Sequence, residues 1–152
     1  MSKQLDYKKV KINYVDTAGQ ERFHAISSNY LKNANGILLV YAVNSRASFT
    51  LLEDWMKEVK NQVNQSFSIL ILGNKCDVED REVTLKEGEK FANKINSKLY
   101  EVSAKTGYMV AEAFDEIARM TYEKGKEENL IQRDSIKFED VDTDKKKKKC
   151  CK

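Results

Sequence analysis

Three short stretches carry residue types suited to holding and cleaving a phosphate-bearing ligand. The first, Asp16-Thr17-Ala18-Gly19-Gln20-Glu21, directly follows Val15. An aspartate at the end of an apolar strand can hold a magnesium ion, often through water. Gly19 has no Cβ, so a backbone N–H can approach a phosphate closely there. A glutamine beside it can orient a water for in-line attack. The second stretch, Gly73-Asn74-Lys75-Cys76-Asp77, follows an apolar run at residues 69–72. The Asp77 carboxylate suits the N1–H and N2–H₂ edge of guanine, a donor pair that adenine does not offer. A buried acceptor left unpaired is a strong basis for rejecting the wrong base. The stem of Lys75 can lie along the base plane, and Asn74 can brace neighbouring loops. The third, Ser103-Ala104-Lys105, follows residues 99–102 and is too common a motif to count alone. Taken singly, each stretch also reads as a polar turn after a core strand.

For these stretches to meet, the strands before them must run the same way, because a parallel sheet binds its ligands beyond the carboxyl ends of its strands. Val10, Ile12 and Tyr14 alternate with Lys9, Lys11 and Asn13, which predicts a half-buried strand over residues 10–16. Residues 2–6 read as the stub of an earlier strand. Residues 37–43 and 68–72 are continuous apolar runs of the kind that parallel sheets bury on both faces, and 99–103 is a weaker strand. Ser45 is a candidate N-cap for a helix carrying Phe49, Leu52, Met56, Val59 and Val63 on one face. Thr84-Leu85-Lys86-Glu87 is a capping box, with Leu85, Ala92 and Ile95 expected on one face of its helix. Val110, Ala113, Phe114, Ile117 and Thr121 mark a last helix. Alternating strands and helices predict an α/β fold with a mainly parallel sheet and flanking helices.

The chain has 152 residues, 41% apolar and 34% charged, which suits one domain with a single core. Its longest apolar run, residues 37–43, is far short of the ~20 residues of a membrane helix, and no apolar stretch opens the chain as a secretory signal would. Three cysteines are too few for a disulfide framework, which fits a reducing compartment. The net charge of +3 is uneven. Residues 145–152 hold six lysines and no acid; setting these aside leaves 21 basic against 24 acidic residues, or −3 over residues 1–144. A basic run confined to one end points to an anionic membrane face rather than to nucleic acid. Residues 1–127 are expected to form the domain, and 128–152 a disordered polybasic tail.

In order and placement the three stretches resemble the Ras superfamily of small GTPases. Gln20-Glu21-Arg22-Phe23, Ile26-Ser27-Ser28-Asn29-Tyr30, Asn35-Gly36-Ile37-Leu38-Leu39-Val40-Tyr41, and Ser48-Phe49 followed by Trp55 are similar to the Rab branch. The resemblance runs from about Leu5 to Tyr122. It implies a P-loop GTPase-like fold, GTP or GDP with Mg2+ as ligands, and a GTP-hydrolysing switch in vesicle and membrane traffic. In that frame Gln20 is catalytic, positioning the water, and Asp16 holds Mg2+ through water. Asp16, Thr17, Ala18, Gly19 and Gln20 contact the nucleotide at its phosphate end. Asn74, Lys75, Asp77, Ser103, Ala104 and Lys105 hold the base, with the Ala104 N–H on guanine O6. Phe23 and Tyr30 face effectors. Val15 stands where the branch usually has Trp, and Ala42 where Asp is common. The implied partners are guanine nucleotide and Rab regulators and effectors, with no nucleic acid. The implied location is the cytoplasmic face of intracellular membranes, cycling with the cytosol. His24, the only histidine, reads as a surface residue, Trp55 as packing and Cys76 as a small apolar filler.

The sequence contains no G-x-x-x-x-G-K-[ST]: its glycines, at 19, 36, 73, 88, 107 and 125, never have that spacing. That motif supplies a backbone N–H cradle, a lysine on the β/γ-phosphates and a hydroxyl on magnesium. The resemblance implies that the first strand, phosphate loop, first helix and first switch lie upstream of Met1, the first strand belonging between those at 10–16 and 37–43. Those two strands are then expected to close up in parallel, or to leave unpaired groups at ~1–3 kcal/mol each in a domain of marginal stability. Two functions compete: a Rab-like GTPase, defective in nucleotide binding in this form, and a membrane-anchored pseudo-GTPase binding module without turnover. A domain whose motifs are relics is a third. At the other end Lys145 to Lys149 precede Cys150-Cys151-Lys152. Paired terminal cysteines resemble the Rab site for two geranylgeranyl groups. A CaaX box is excluded because Lys149 occupies the fourth position from the end. Palmitoylation is the alternative lipid, and a solvated charge run with two incidental thiols is the plain reading.

Overall fold

The computed structural model describes residues 12–16, 31–63 and 66–127. Three parallel strands form its sheet: β1 (Gly36–Ala42), β2 (Ser68–Asn74) and β3 (Lys98–Glu101), in the order β1-β2-β3. Parallel neighbours need crossovers. Helices α1 (Arg46–Thr50) and α2 (Leu52–Gln62) join β1 to β2, α3 (Leu85–Lys94) joins β2 to β3, and α4 (Val110–Glu127) follows β3. The register pairs Leu39 with Ile71 and Tyr41 with Gly73 across β1 and β2, and Ile71 with Leu99 across β2 and β3.

Helices lie on both faces of the sheet, but β1, expected to be buried on both, is fully buried on one only: Ile37, Leu39 and Tyr41 point into the core, while Val40 on the other face is exposed because no further strand or helix covers it among the described residues. Ile37, Leu39, Tyr41, Val43 and Ile71 pack with Leu52, Met56 and Val59 of α2 and Phe91 and Ala92 of α3. Leu70, Leu72 and Val102 pack with Ala113 and Ile117 of α4. As the middle strand, β2 is buried most completely, with Leu70 and Ile71 wholly inaccessible. Its unbroken apolar run has this cause: each face meets a helix.

Tyr41 organises the first of these layers. Its ring meets Phe49 edge-on at 5.0 Å, and Phe49 meets Phe91 in the same way at 5.9 Å. The hydroxyl lies between two glycines. A Cβ on Gly73 would come within 2.9 Å of it, and a Cβ on Gly88 within 2.5 Å. That close approach explains a glycine inside α3, where alanine is better by ~1 kcal/mol in an open helix. Burial chiefly pushes the Tyr41 phenol up to about 12, and the hydroxyl has no hydrogen-bond partner among the described residues.

The capping box is formed. Thr84 Oγ1 accepts from the Glu87 N–H at 3.3 Å, and a Glu87 carboxylate oxygen accepts from the Thr84 N–H at 2.9 Å. Ser45 caps α1, its hydroxyl accepting from the Ser48 N–H. The helix expected to run unbroken over 49–63 is divided at Leu51. The Thr50 hydroxyl bonds back to the Arg46 carbonyl at 2.9 Å, and Ser48 bonds back to Ser45 at 2.8 Å; such back-bonding bends helices. Of the residues expected on the buried face of α3, Ala92 is buried, together with Gly88 and Phe91, and Leu85 is exposed. Trp55 packs partly buried against the core. α4 continues through its charged end to Glu127, where Arg119 pairs with Glu116 and Glu123 one turn away on either side, and Lys124 donates to the Phe67 carbonyl at 2.7 Å.

The expected strand over 10–16 is not found in its described part. Residues 12–16 form no strand, and Ile12, Tyr14 and Val15 are exposed. Tyr14 instead meets Phe114 of α4 edge-on at 5.0 Å. Alternation gives one apolar side to a segment but does not supply the neighbouring strand that would bond it. Closure of this segment onto β1 in parallel is therefore not observed among the described residues. No helix among them is long and apolar enough to cross a membrane.

Candidate functional site

The carboxyl ends of β2 and β3 bring two of the three chemistry-bearing stretches into contact. Asn74 is the last residue of β2. Its side-chain oxygen accepts two backbone N–H groups, from Lys75 at 2.7 Å and from Ala104 at 3.0 Å. One side chain thereby fixes both loops. A backbone ladder backs this up: the Val102 N–H donates to the Gly73 carbonyl at 2.9 Å, and the Cys76 N–H to the Val102 carbonyl at 3.1 Å. Lys75 sits at φ +63°, in the left-handed region, so the chain turns sharply immediately after Asn74.

Ser103 is wholly buried beneath these loops. Its hydroxyl accepts from the Thr106 N–H at 3.1 Å, its N–H donates to the Tyr108 carbonyl at 3.0 Å, and its carbonyl accepts from the Gly107 N–H at 2.8 Å. Gly107 closes this turn at φ +81°, a conformation that glycine adopts without strain. A hydrogen bond from Ser103 to the Asp77 side chain is the chief reason that the Asp77 carboxyl lies below its usual range. A bond to the Asp77 backbone and the charge of Lys105 act in the same direction, against a desolvation effect. Asp77 and Lys105 are both exposed. The result is a solvent-facing carboxylate acceptor, held from behind, with the exposed Ala104 beside it.

Asn74, Lys75, Asp77, Ser103, Ala104 and Lys105 thus form one continuous cluster. Asp16 lies exposed at the end of the 12–16 segment and is not joined to it. Thr17, Ala18, Gly19, Gln20, Phe23, Tyr30, Cys150 and Cys151 lie outside the described residues. Among the described residues no three His, Cys, Asp or Glu side chains gather as a metal cage. Magnesium often needs only one or two carboxylates beside phosphate and water, and Asp16 is the one proposed here. Cys76 is half-buried, and burial raises its thiol above the usual range. A shallow groove of about 450 Å³ is lined by Cys76, Leu85, Leu99, Tyr100 and Tyr108, among others, but by none of Asn74, Asp77, Ala104 and Lys105.

Two contributors to this cluster have no local sequence signal. Arg81 and Glu101 form a two-pronged ion pair, at 2.6 and 3.0 Å, across 20 positions of chain. Gly107 could have been anticipated as a turn residue two places after Lys105.

Parallel strands alternating with helices, and polar loops gathered beyond the strand ends, define an α/β domain with a parallel sheet. A family model for the Ras family matches residues 1–123. The chain is 37% identical over 150 residues to GTP-binding protein ypt2 of Schizosaccharomyces pombe, covering 97% of this chain and 74% of that protein. It is 36% identical over 138 residues to Ras-related protein Rab-10 of Diplobatis ommata, covering 90% and 64%. It is 42% identical over 117 residues to Ras-related protein Rab-8B of Bos taurus, covering 76% and 56%. The chain belongs to the Ras family, as a Rab-type member, and spans roughly two thirds of the length of these relatives.

Proposed function

We propose that this chain is a Rab-type switch of membrane traffic whose described domain carries the base-reading part of a guanine-nucleotide site. The observation that carries this reading is the Asn74 oxygen bridging Lys75 and Ala104, with Asp77 held ionised beside Ser103. Asp77 would accept from guanine N1–H and N2–H₂, and Lys75 would lie along the base plane; the Ala104 N–H, which donates to the Asn74 side chain in this structure, would reach O6 only by exchanging that bond for one to the base. The relatives carry names that say GTP-binding and Ras-related, which supports the same ligand. Asp16 would hold Mg2+ through water, Thr17, Ala18 and Gly19 would line the γ-phosphate, and Gln20 would orient the attacking water. Mg2+ would neutralise phosphate charge during that transfer. Phe23 and Tyr30 would meet effectors.

The 152-residue chain holds no G-x-x-x-x-G-K-[ST], so its phosphate contacts would be few and its affinity for GTP low. A fluorescent-GTP titration tests it: weak or no binding is expected, and a submicromolar dissociation constant would overturn it. Adding a relative's upstream segment is expected to restore binding and slow hydrolysis, and Gln20→Leu in that chain to remove most hydrolysis while sparing binding.

The tail supplies the location. Lys145 to Lys149 would attract an anionic leaflet at ~1 kcal/mol each near the surface, and lipid on Cys150 and Cys151 would anchor the chain to the cytoplasmic face. One lipid chain alone binds only marginally, so two chains, or one chain plus the lysines, are required.

A further inference from the structure

The two loops of the proposed base site are joined directly at Asn74. Behind that junction they are joined a second time. Arg81 lies on the connection from Asp77 to the α3 cap. Glu101 is the last residue of β3, two places before Ser103. The Arg81 guanidinium donates to both Glu101 carboxylate oxygens, at 2.6 and 3.0 Å, and one of the same nitrogens donates to the Val83 carbonyl at 3.1 Å. The two side chains are only 30% and 21% exposed. Four other ion pairs among the described residues have both side chains at least 37% exposed, and pairs of that kind contribute little; two more share Glu116, which is 11% exposed and pairs with Lys98 and Arg119. A planar, two-pronged, partly buried pair fixes direction as well as distance.

We propose that Arg81 and Glu101 are positioning residues for base recognition: their pairing sets the Asp77 loop against the Ser103–Lys105 loop, so that the Asp77 carboxylate is held facing the base edge beside the Asn74–Ala104 junction. This rests on the guanine reading given above. Neither residue touches the base. Their effect passes through the loops they hold. Arg81 fixes the outgoing arm of the 74–83 connection at the Val83 carbonyl and at β3 simultaneously. Without it that connection keeps the Asn74 bridge, the Cys76 ladder bond and the Ser103 bond to the Asp77 side chain as its links to the second loop. Lysine in place of Arg81 would keep the charge but lose the fork, so it should restore part of the effect only.

The test uses the full 152-residue chain and two readouts. Amide hydrogen exchange is compared at Ala104 and Cys76, with residues 37–41 of β1 as the internal control for folding. GMP, IMP and AMP are titrated at millimolar concentration by amide chemical shift. IMP lacks the 2-amino group, so the GMP-over-IMP ratio reports the Asp77 contact, which as a hydrogen bond to a charged group corresponds to roughly tenfold or more. For Arg81→Met, the inference expects faster exchange at Ala104 and Cys76, unchanged exchange in β1, and a GMP-over-IMP ratio collapsing towards one. Arg81→Lys is expected in between, and it decides the matter if Arg81→Met does not fold. Unchanged exchange at both amides with the ratio retained overturns the inference. Equal binding of GMP and AMP by the parent chain overturns the guanine reading instead, and exchange at Ala104 and Cys76 then still decides whether the pair clasps the loops.

Discussion

Gly88→Ala is expected to destabilise the domain, against the usual preference of helices. In an open helix the change gains ~1 kcal/mol. Here the new Cβ would sit 2.5 Å from the Tyr41 hydroxyl and 2.8 Å from a Leu99 methyl. Phe49 packs edge-on against the Tyr41 ring, so the ring has little freedom to move aside. Overpacking a tight core costs ~1–3 kcal/mol. With two obstacles, one of them rigid, the upper part of that range applies, and the net loss is ~1–2 kcal/mol after the helix gain. Urea unfolding should show a lower midpoint at an unchanged slope. Tyr41→Phe should be close to neutral, since the hydroxyl has no partner among the described residues. In its background the Gly88→Ala penalty should fall below ~1 kcal/mol, because the ring carbon that remains lies at 3.6 Å. A stabilising Gly88→Ala, or a penalty equal in both backgrounds, would refute this account of the core.

Three further outcomes are expected, one at Tyr41, one at Glu87 and one at the tail cysteines. The Tyr41 phenol is raised from 10.0 to about 12 in the folded chain, so the folded state holds its proton more tightly; stability should be full below pH 10 and fall as the pH rises through 12, and Tyr41→Phe should remove that part of the alkaline limb in a pH series of urea midpoints. Glu87 is lowered from 4.5 to about 2, first by its hydrogen bond to Arg46 and then by those to Thr84; its contribution should be present above pH 4.5 and lost as the pH falls towards 2, and Glu87→Gln should flatten that segment of the acid limb. Replacing Cys150 and Cys151 together with Ser should release the protein from membranes to the cytosol in fractionated cells, and an intact mass without lipid alongside an unchanged location would contradict the anchor.

What could be read from the sequence was local. Thr84 and Glu87 are one helical turn apart, so their reciprocal cap is written in adjacent residues and forms as expected. The apolar run of β2 was legible because a strand buried on both faces needs no alternation to betray it; β1 was found as a strand, but it is fully buried on one face only, with Val40 exposed on the other. The segment 10–16 shows the limit: its alternation is real, but a ladder needs a partner strand, and in its described part Tyr14 packs on Phe114 instead. Leu85 lies at a helical interval from Gly88 and Ala92, which are buried, yet it is the first residue of α3 and is exposed, so the spacing marks the face but not where along it the core ends. The division at Leu51 came from hydroxyl back-bonds, which hydrophobic spacing does not register. In the candidate site, Asn74, Asp77 and Ser103 were found as residue types after strands. The Arg81–Glu101 pair was not, because nothing local marks two oppositely charged residues as meeting across the fold.

The most direct test of the central claim is base selectivity at Asp77. The 152-residue chain and its Asp77→Asn variant are titrated with GMP and AMP, following the amides of Lys75, Ala104 and Lys105. The account predicts that the parent prefers GMP, with shifts centred on those amides, and that Asp77→Asn loses the preference, because a two-fold acceptor becomes half donor. Equal affinity for GMP and AMP in the parent, or a guanine preference that survives Asp77→Asn, would contradict it.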